Sequence, residues 1–229
     1  YAVFMYVNIW GNNYAGAEFG TEKFNRRVGA TMRAWADHVR SLKMDPGRIM
    51  LCLVDEPQGG EADRAALLFG KAVKAAVPEF KLFVTAAHDE PRTAVLEMFK
   101  IHDILCPHLS KLEANGGFYE ELRAGGRQLW TYVASGGPAT LDAIGSYRAQ
   151  EWKMWAMKGT GTGFWCYGPG GEGFTSWNTL AADTELYSPA YVGTDSVCDG
   201  KHWLAIIEGI QDYEYLRMLR DRIAEVEAA

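Results

Sequence analysis

The feature that most constrains this chain is an alternation. Six short apolar runs, at residues 3–9, 48–54, 81–86, 103–106, 128–134 and 163–167, are separated by stretches of helical periodicity. Several runs are almost continuously apolar, as strands buried on both faces of a parallel sheet require. The stretch 24–43 carries Val28, Met32, Trp35, Val39 and Leu42 at spacings of three and four, and Asp45-Pro46-Gly47 stops it. The stretch 61–77 carries Ala65, Leu68, Phe69, Ala72, Val73 and Ala76, and ends at Pro78. Further helices are expected at 92–99, 117–124 and 141–157. A last helix, 202–226, bears Trp203, Ile206, Ile207, Ile210, Leu216, Leu219, Ile223 and Val226 as its packing stripe. Strands and helices in strict turn imply an α/β fold with right-handed crossovers.

The expected architecture is a (β/α)8 TIM-type barrel lacking its first strands. Six runs are two short of closure, and the chain opens at Tyr1 on a strand-like run, so two βα units are expected to precede it. Residues 1–200 then form the C-terminal portion of a barrel domain, including a long loop rich in Gly and aromatic residues at 168–200. Residues 201–229 form a helix packed on the barrel. The rival is an open doubly wound sheet, but Gly159-Thr160-Gly161-Thr162-Gly163 leads into a strand instead of following one, unlike a dinucleotide fingerprint. Two bare strand edges would call for a homo-oligomer or a missing N-terminal domain to cover them.

Charge and residue usage exclude several classes. Net charge is −6 and no basic stripe is present, so a nucleic-acid partner is not expected. No apolar stretch approaches the roughly 18 residues of a membrane span. Cys52, Cys106, Cys166 and Cys198 lack CxxC spacing and read as small core residues. The histidines, His38, His88, His102, His108 and His202, form no HExxH motif, so neither metal nor other cofactor is expected. A GxSxG nucleophile elbow is also missing.

The sharpest local feature is Leu51-Cys52-Leu53-Val54-Asp55-Glu56-Pro57. Two carboxylates end an apolar strand, and the C-terminal strand ends are where parallel α/β folds place their chemistry. Neighbouring strand residues point to opposite faces, so pairing Asp55 with Glu56 in one site needs a bulge or a turn. The competing role for Asp55 is to cap the following helix.

Three further segments join this motif. Leu129-Trp130-Thr131-Tyr132 precedes a Gly-Gly-Pro turn. Arg148 and Trp152 lead to Gly161-Thr162-Gly163-Phe164-Trp165. The last helix bears Glu208-Gly209-Ile210-Gln211-Asp212-Tyr213-Glu214-Tyr215-Leu216. Together they resemble the catalytic domain of glycoside hydrolase family 123, the β-N-acetylgalactosaminidases, and its relatives, through most of the chain.

The resemblance implies a retaining, substrate-assisted hydrolysis of terminal β-linked N-acetylhexosamine, with GalNAc favoured. In such enzymes the substrate's acetamido oxygen attacks the anomeric carbon, replacing an enzyme nucleophile. Glu56 would be the acid/base, and Asp55 would orient the acetamido group and stabilise the oxazolinium charge. Burial and the adjacent Asp55 charge are expected to keep Glu56 protonated. Tyr132 and Trp165, near the ends of the last two strands, are candidate sugar contacts. Asn8, Trp10, Tyr167, Trp177 and His108 are further wall or loop candidates, each with core packing as its competing role. The partner implied is a glycan or a glycolipid head group, and the setting a secreted, periplasmic or cell-surface one. Two alternatives remain open: a glycosidase of another sugar specificity, and a non-catalytic carbohydrate-binding protein.

Overall fold

The computed structural model describes residues 2–4, 13–134, 142–167, 189–193 and 195–228. The chain divides into two compact units, Tyr1–Leu129 and Trp130–Ala229.

The first unit opens with strand β1 (Ala2–Phe4) and a small hairpin, β2 (Asn13–Tyr14) and β3 (Ala17–Glu18). Helix α1 (Glu22–Ser41) starts at Thr21, whose hydroxyl accepts the Phe24 N–H at 3.2 Å. It buries Phe24, Val28, Met32 and Ala36, each one turn from the last. That stripe lies to one side of the expected face: Trp35 and Leu42 are exposed. Strand β4 (Met50–Cys52) leads through the Asp55–Glu56 segment to helix α2 (Gly60–Ala76), followed by strand β5 (Lys81–Val84). Helix α3 (Leu96–Ile101), strand β6 (Ile104–Leu105), helices α4 (Leu109–Ala114) and α5 (Gly116–Ala124), and strand β7 (Gln128–Val133) complete the order.

The strands pair in parallel in the order β1-β4-β5-β6-β7. In register, Leu51 faces Val3 and Leu82, and Cys52 faces Phe4 and Phe83. Leu51, Leu53, Leu82 and Leu105 are at most 1% exposed, which is why the runs are so apolar. Edge-to-face contacts among Phe19, Phe24 and Phe69 (5.0–5.7 Å between centroids) fill the space between α1 and α2.

The expected TIM-type barrel is not what forms. The five parallel strands β1, β4, β5, β6 and β7 form a sheet curled as half a barrel. A twisted parallel sheet curls by itself, whereas closing an eight-stranded barrel also requires matched strand number, tilt and stagger. Apolar runs specify burial on both faces and carry no information on those quantities.

In the second unit the rest of β7 pairs in parallel with β8 (Gly161–Phe164), with Tyr132 opposite Gly163. A π-helical turn, Ile144–Arg148, runs into α6 (Ala149–Ala156). Within the expected 168–200 loop, β9 (Ala190–Val192) and β10 (Val197–Asp199) form an antiparallel pair. Helix α7 (Lys201–Glu227) closes the chain and buries His202, Ala205, Ile206 and Gly209. Arg148 grips it, with Nε and Nη2 donating to the Asp212 carboxylate at 2.6 and 3.1 Å and Nη1 to Glu208 at 2.6 Å. The indole of Trp152 adds a hydrogen bond to Asp212 at 2.9 Å. The expected packing stripe is largely uncovered beyond Ile206, since Ile210, Leu219, Ile223 and Val226 are exposed. Among the described residues no helix is long and apolar enough to cross a membrane.

Candidate active site

The strand leading to the two carboxylates stops early. β4 ends at Cys52, Leu53 and Val54 remain buried, and the chain bends through Asp55 and Glu56 to the buried Pro57. The segment is not an ideal strand, because Glu56 lies at φ +44°, in the left-handed region. For a residue with a Cβ this conformation costs roughly 1–2 kcal/mol, so the surroundings must hold it.

Thr85 does so from the end of the neighbouring strand. Since Cys52 is opposite Phe83, Thr85 falls level with Val54, beside the bend. Its hydroxyl accepts the Glu56 N–H at 2.9 Å and donates to Asp55 Oδ1 at 2.9 Å. One buried hydroxyl therefore fixes both members of the pair, one by its backbone and the other by its carboxylate. The Ala87 N–H adds a bond to the Pro57 carbonyl at 3.1 Å, tying the two strand-end loops together. The competing role for Asp55 is not the one observed: α2 is capped by Gly59 without a side-chain hydrogen bond.

His108 caps α4, its Nδ1 accepting from the Ser110 N–H at 3.3 Å and from the Ser110 hydroxyl at 2.8 Å. A nitrogen that accepts both bonds carries no proton, so the neutral ring holds its proton on Nε2. Burial pushes the imidazole below its ordinary range, opposed by the Glu56 carboxylate, whose charge reaches it. The thiol of Cys52 is pushed up to about 12, mainly by burial and then by the Asp55 charge, so it stays protonated and inert as a nucleophile.

Asp55, Glu56 and His108 thus belong to the first unit. Both carboxylates are exposed there, so the described residues of that unit do not supply the burial expected around Glu56. Tyr132, Trp165 and Tyr167 belong to the second unit. Tyr132 is half-buried on β7, whereas Trp165 and Tyr167 are 54% and 46% exposed just after β8. Tyr167 packs edge-on against Trp203 at 5.5 Å, which steadies it. Asn8, Trp10 and Trp177 lie outside the described residues. Among the described residues, no group of three or more His, Cys, Asp or Glu side chains is placed to hold a metal ion.

Two elements of the site escaped the sequence reading. Thr85 is a hydroxyl at the end of an otherwise apolar strand, a signal that gains meaning only once the register is known. The other is a buried pair, His88 with Asp63, 4% and 0% exposed. His88 Nε2 lies 2.8 and 3.0 Å from the two Asp63 oxygens. The same carboxylate accepts the Gly59 N–H at 3.0 Å and the Val95 N–H at 3.4 Å, joining the loop after β4 to the loop after β5.

Compared with protein-family models and with curated proteins, the chain finds no match in either.

Proposed function

We propose that this chain is a glycoside hydrolase acting on terminal β-linked N-acetylhexosamine, with GalNAc as the favoured sugar. The observation that carries the reading is the carboxylate pair at the sheet's C-terminal edge. Asp55 and Glu56 are adjacent in sequence, and a single hydroxyl, Thr85 Oγ1, pins both. Adjacent carboxylates suit substrate-assisted retention, in which the enzyme supplies no nucleophile. Glu56 protonates the glycosidic oxygen as the acetamido oxygen attacks the anomeric carbon and the C–O bond to the leaving group breaks. Asp55, held by Thr85, orients the acetamido N–H and stabilises the positive oxazolinium. Glu56 then takes a proton from the water that reopens the ring. Support for the sugar class comes from the resemblance of the four segments to family 123.

Hydrolysis of matched aryl β-glycosides of GalNAc, GlcNAc and galactose, beside Glu56→Gln, tests the reading. Cleavage confined to the acetamido sugars and lost in the variant is the expected result. Equal cleavage of the galactoside would remove the acetamido nucleophile. Inactivity of a folded protein on all three would leave the exposed aromatics to a binding role.

A further inference from the structure

Helix α7 runs on for about four turns past its last firm anchor. That anchor is Tyr213, whose hydroxyl donates to the Gly159 carbonyl at 2.9 Å and whose ring meets Trp155 edge-on at 5.4 Å. Beyond it, every residue from Arg217 to Glu227 is exposed. The turns are held by ion pairs along the helix itself, Arg217 with Glu214 and Asp221, and Arg222 with Glu225. Such pairs add little each, and helices draw most of their stability from packing an apolar face.

An apolar face is present and unused. Leu216, Leu219, Ile223 and Val226 recur at spacings of three, four and three, a single stripe down the helix. Leu219 and Val226 are 57% and 62% exposed, and Ile223 is exposed with them. The stripe starts one turn after Asp212, where the indole of Trp152, itself half-exposed, is bonded. Charge is arranged around the stripe. Arg220 and Glu227 border one side, and Tyr215 and Arg222 the other. Arg220 has only its neighbour Asp221 as an acid, and Glu227 has no cation among the described residues.

From this pattern we infer that the C-terminal half of α7 is a dimerisation surface, pairing antiparallel with the same stripe of a second copy about a two-fold axis. With Leu219 against the partner's Ile223, Leu216 meets the partner's Val226. Arg220 then falls opposite the partner's Glu227, and the two-fold repeats that ion pair. On the other border, Tyr215 falls beside the partner's Arg222, a cation–π contact. A parallel pair would set two bodies side by side at the end of helices only about 8–10 Å apart; the antiparallel one sets them at opposite ends. A bilayer is a poorer occupant, because membrane-surface helices carry a basic polar face and this one mixes Asp221, Glu225 and Glu227 with its arginines. The overlap from Leu216 to Val226 is about 16 Å long. That is small for an interface, so the dimer is expected to dissociate in the micromolar range. The inference is independent of the glycosidase reading.

Sedimentation equilibrium of the full chain across the micromolar range tests it, with urea unfolding of each variant as the control for folding. The wild type is expected to pass from monomer to dimer, and Leu219→Asp, at an exposed position, to stay monomeric. Glu227→Arg sets like charges opposite each other twice and should weaken the dimer about tenfold. Adding Arg220→Glu to it should restore the affinity, a rescue that only the antiparallel register produces. A wild type that stays monomeric throughout overturns the inference, as does a dimer indifferent to Leu219→Asp. Failure of the paired charge swap to rescue overturns the antiparallel pairing. A monomer that co-sediments with phosphatidylcholine–phosphatidylglycerol vesicles, and stops doing so in Leu219→Asp, would give the stripe to a lipid surface instead.

Discussion

Thr85 and Asp55, thirty residues apart in sequence, meet through a 2.9 Å hydrogen bond from the Thr85 hydroxyl to Asp55 Oδ1. The Thr85 hydroxyl oxygen also accepts the Glu56 N–H, so Thr85 links the placement of Asp55 to the backbone conformation of Glu56. Thr85→Val keeps the shape and removes both bonds. The expected loss of stability is about 1–2 kcal/mol. Activity on the aryl N-acetylgalactosaminide should fall by roughly 10–100-fold, because a misplacement of about 1 Å is enough for that. Urea unfolding beside steady-state kinetics separates the two effects, and a variant as active as the wild type would remove Thr85 from the site.

Acid should weaken the first unit through His102. The ring is 1% exposed, and burial holds its pKa down to about 4 despite the hydrogen bond from Nδ1 to the Met98 carbonyl. The unfolded chain takes up a proton near pH 6.5, and the folded one does so only near 4. Stability from this group is therefore complete above about pH 6.5 and declines as pH falls towards 4, by about 3 kcal/mol in all. Unfolding free energies measured between pH 4 and 8 should show this slope, and His102→Gln should flatten it.

Asp103 secures the start of β5. One carboxylate oxygen accepts both the Leu82 N–H and the Lys74 ammonium, each at 2.7 Å. Asp103→Ala strands the Leu82 N–H and takes the counter-ion from Lys74, which keeps its bonds to the Phe80 and Pro78 carbonyls, at a cost of about 1–3 kcal/mol in denaturant unfolding. Asp103→Asn, which keeps one acceptor, should lose less.

Gly209 marks where α7 comes closest to the π-helical turn and α6. A Cβ there would stand 2.9 Å from Glu151 Cγ and 3.1 Å from both the Cα and the carbonyl oxygen of Arg148. Helix propensity alone favours Ala over Gly by about 1 kcal/mol. Overpacking against backbone costs typically about 1–3 kcal/mol, so Gly209→Ala should lower the unfolding midpoint. A rise would mean the helices can separate freely.

The parallel α/β order was readable because both-face burial imposes continuous apolar runs. The 81–86 and 128–134 runs correspond to Lys81–Val84 and Gln128–Val133, and the 61–77 stretch to Gly60–Ala76. Sheet closure was not readable, since Leu51 or Leu82 is equally apolar in a half-barrel and in a closed one. The strand pair at Ala190–Asp199 lay hidden in a Gly-rich stretch without periodicity. Within the site, the carboxylates advertise themselves as neighbours. Their support comes from Thr85, and the His88–Asp63 pair spans 25 residues; neither contact leaves a local pattern. Trp35 misled for a related reason: an aromatic at helical spacing marks one possible face, and Phe24, Val28, Met32 and Ala36 define the buried one.

Glu56, at φ +44°, occupies a position that sorts its replacements by shape before chemistry has any say. Glycine and asparagine relax there, while valine, isoleucine and threonine are penalised whether or not the protein needs an acid. A lineage freed from selection for turnover would drift to glycine or asparagine at this point and gain about 1 kcal/mol in doing so. Retention of glutamate after this aspartate among descendants of the same ancestor is then a record of continuing selection on chemistry, legible against a backbone that pulls the other way.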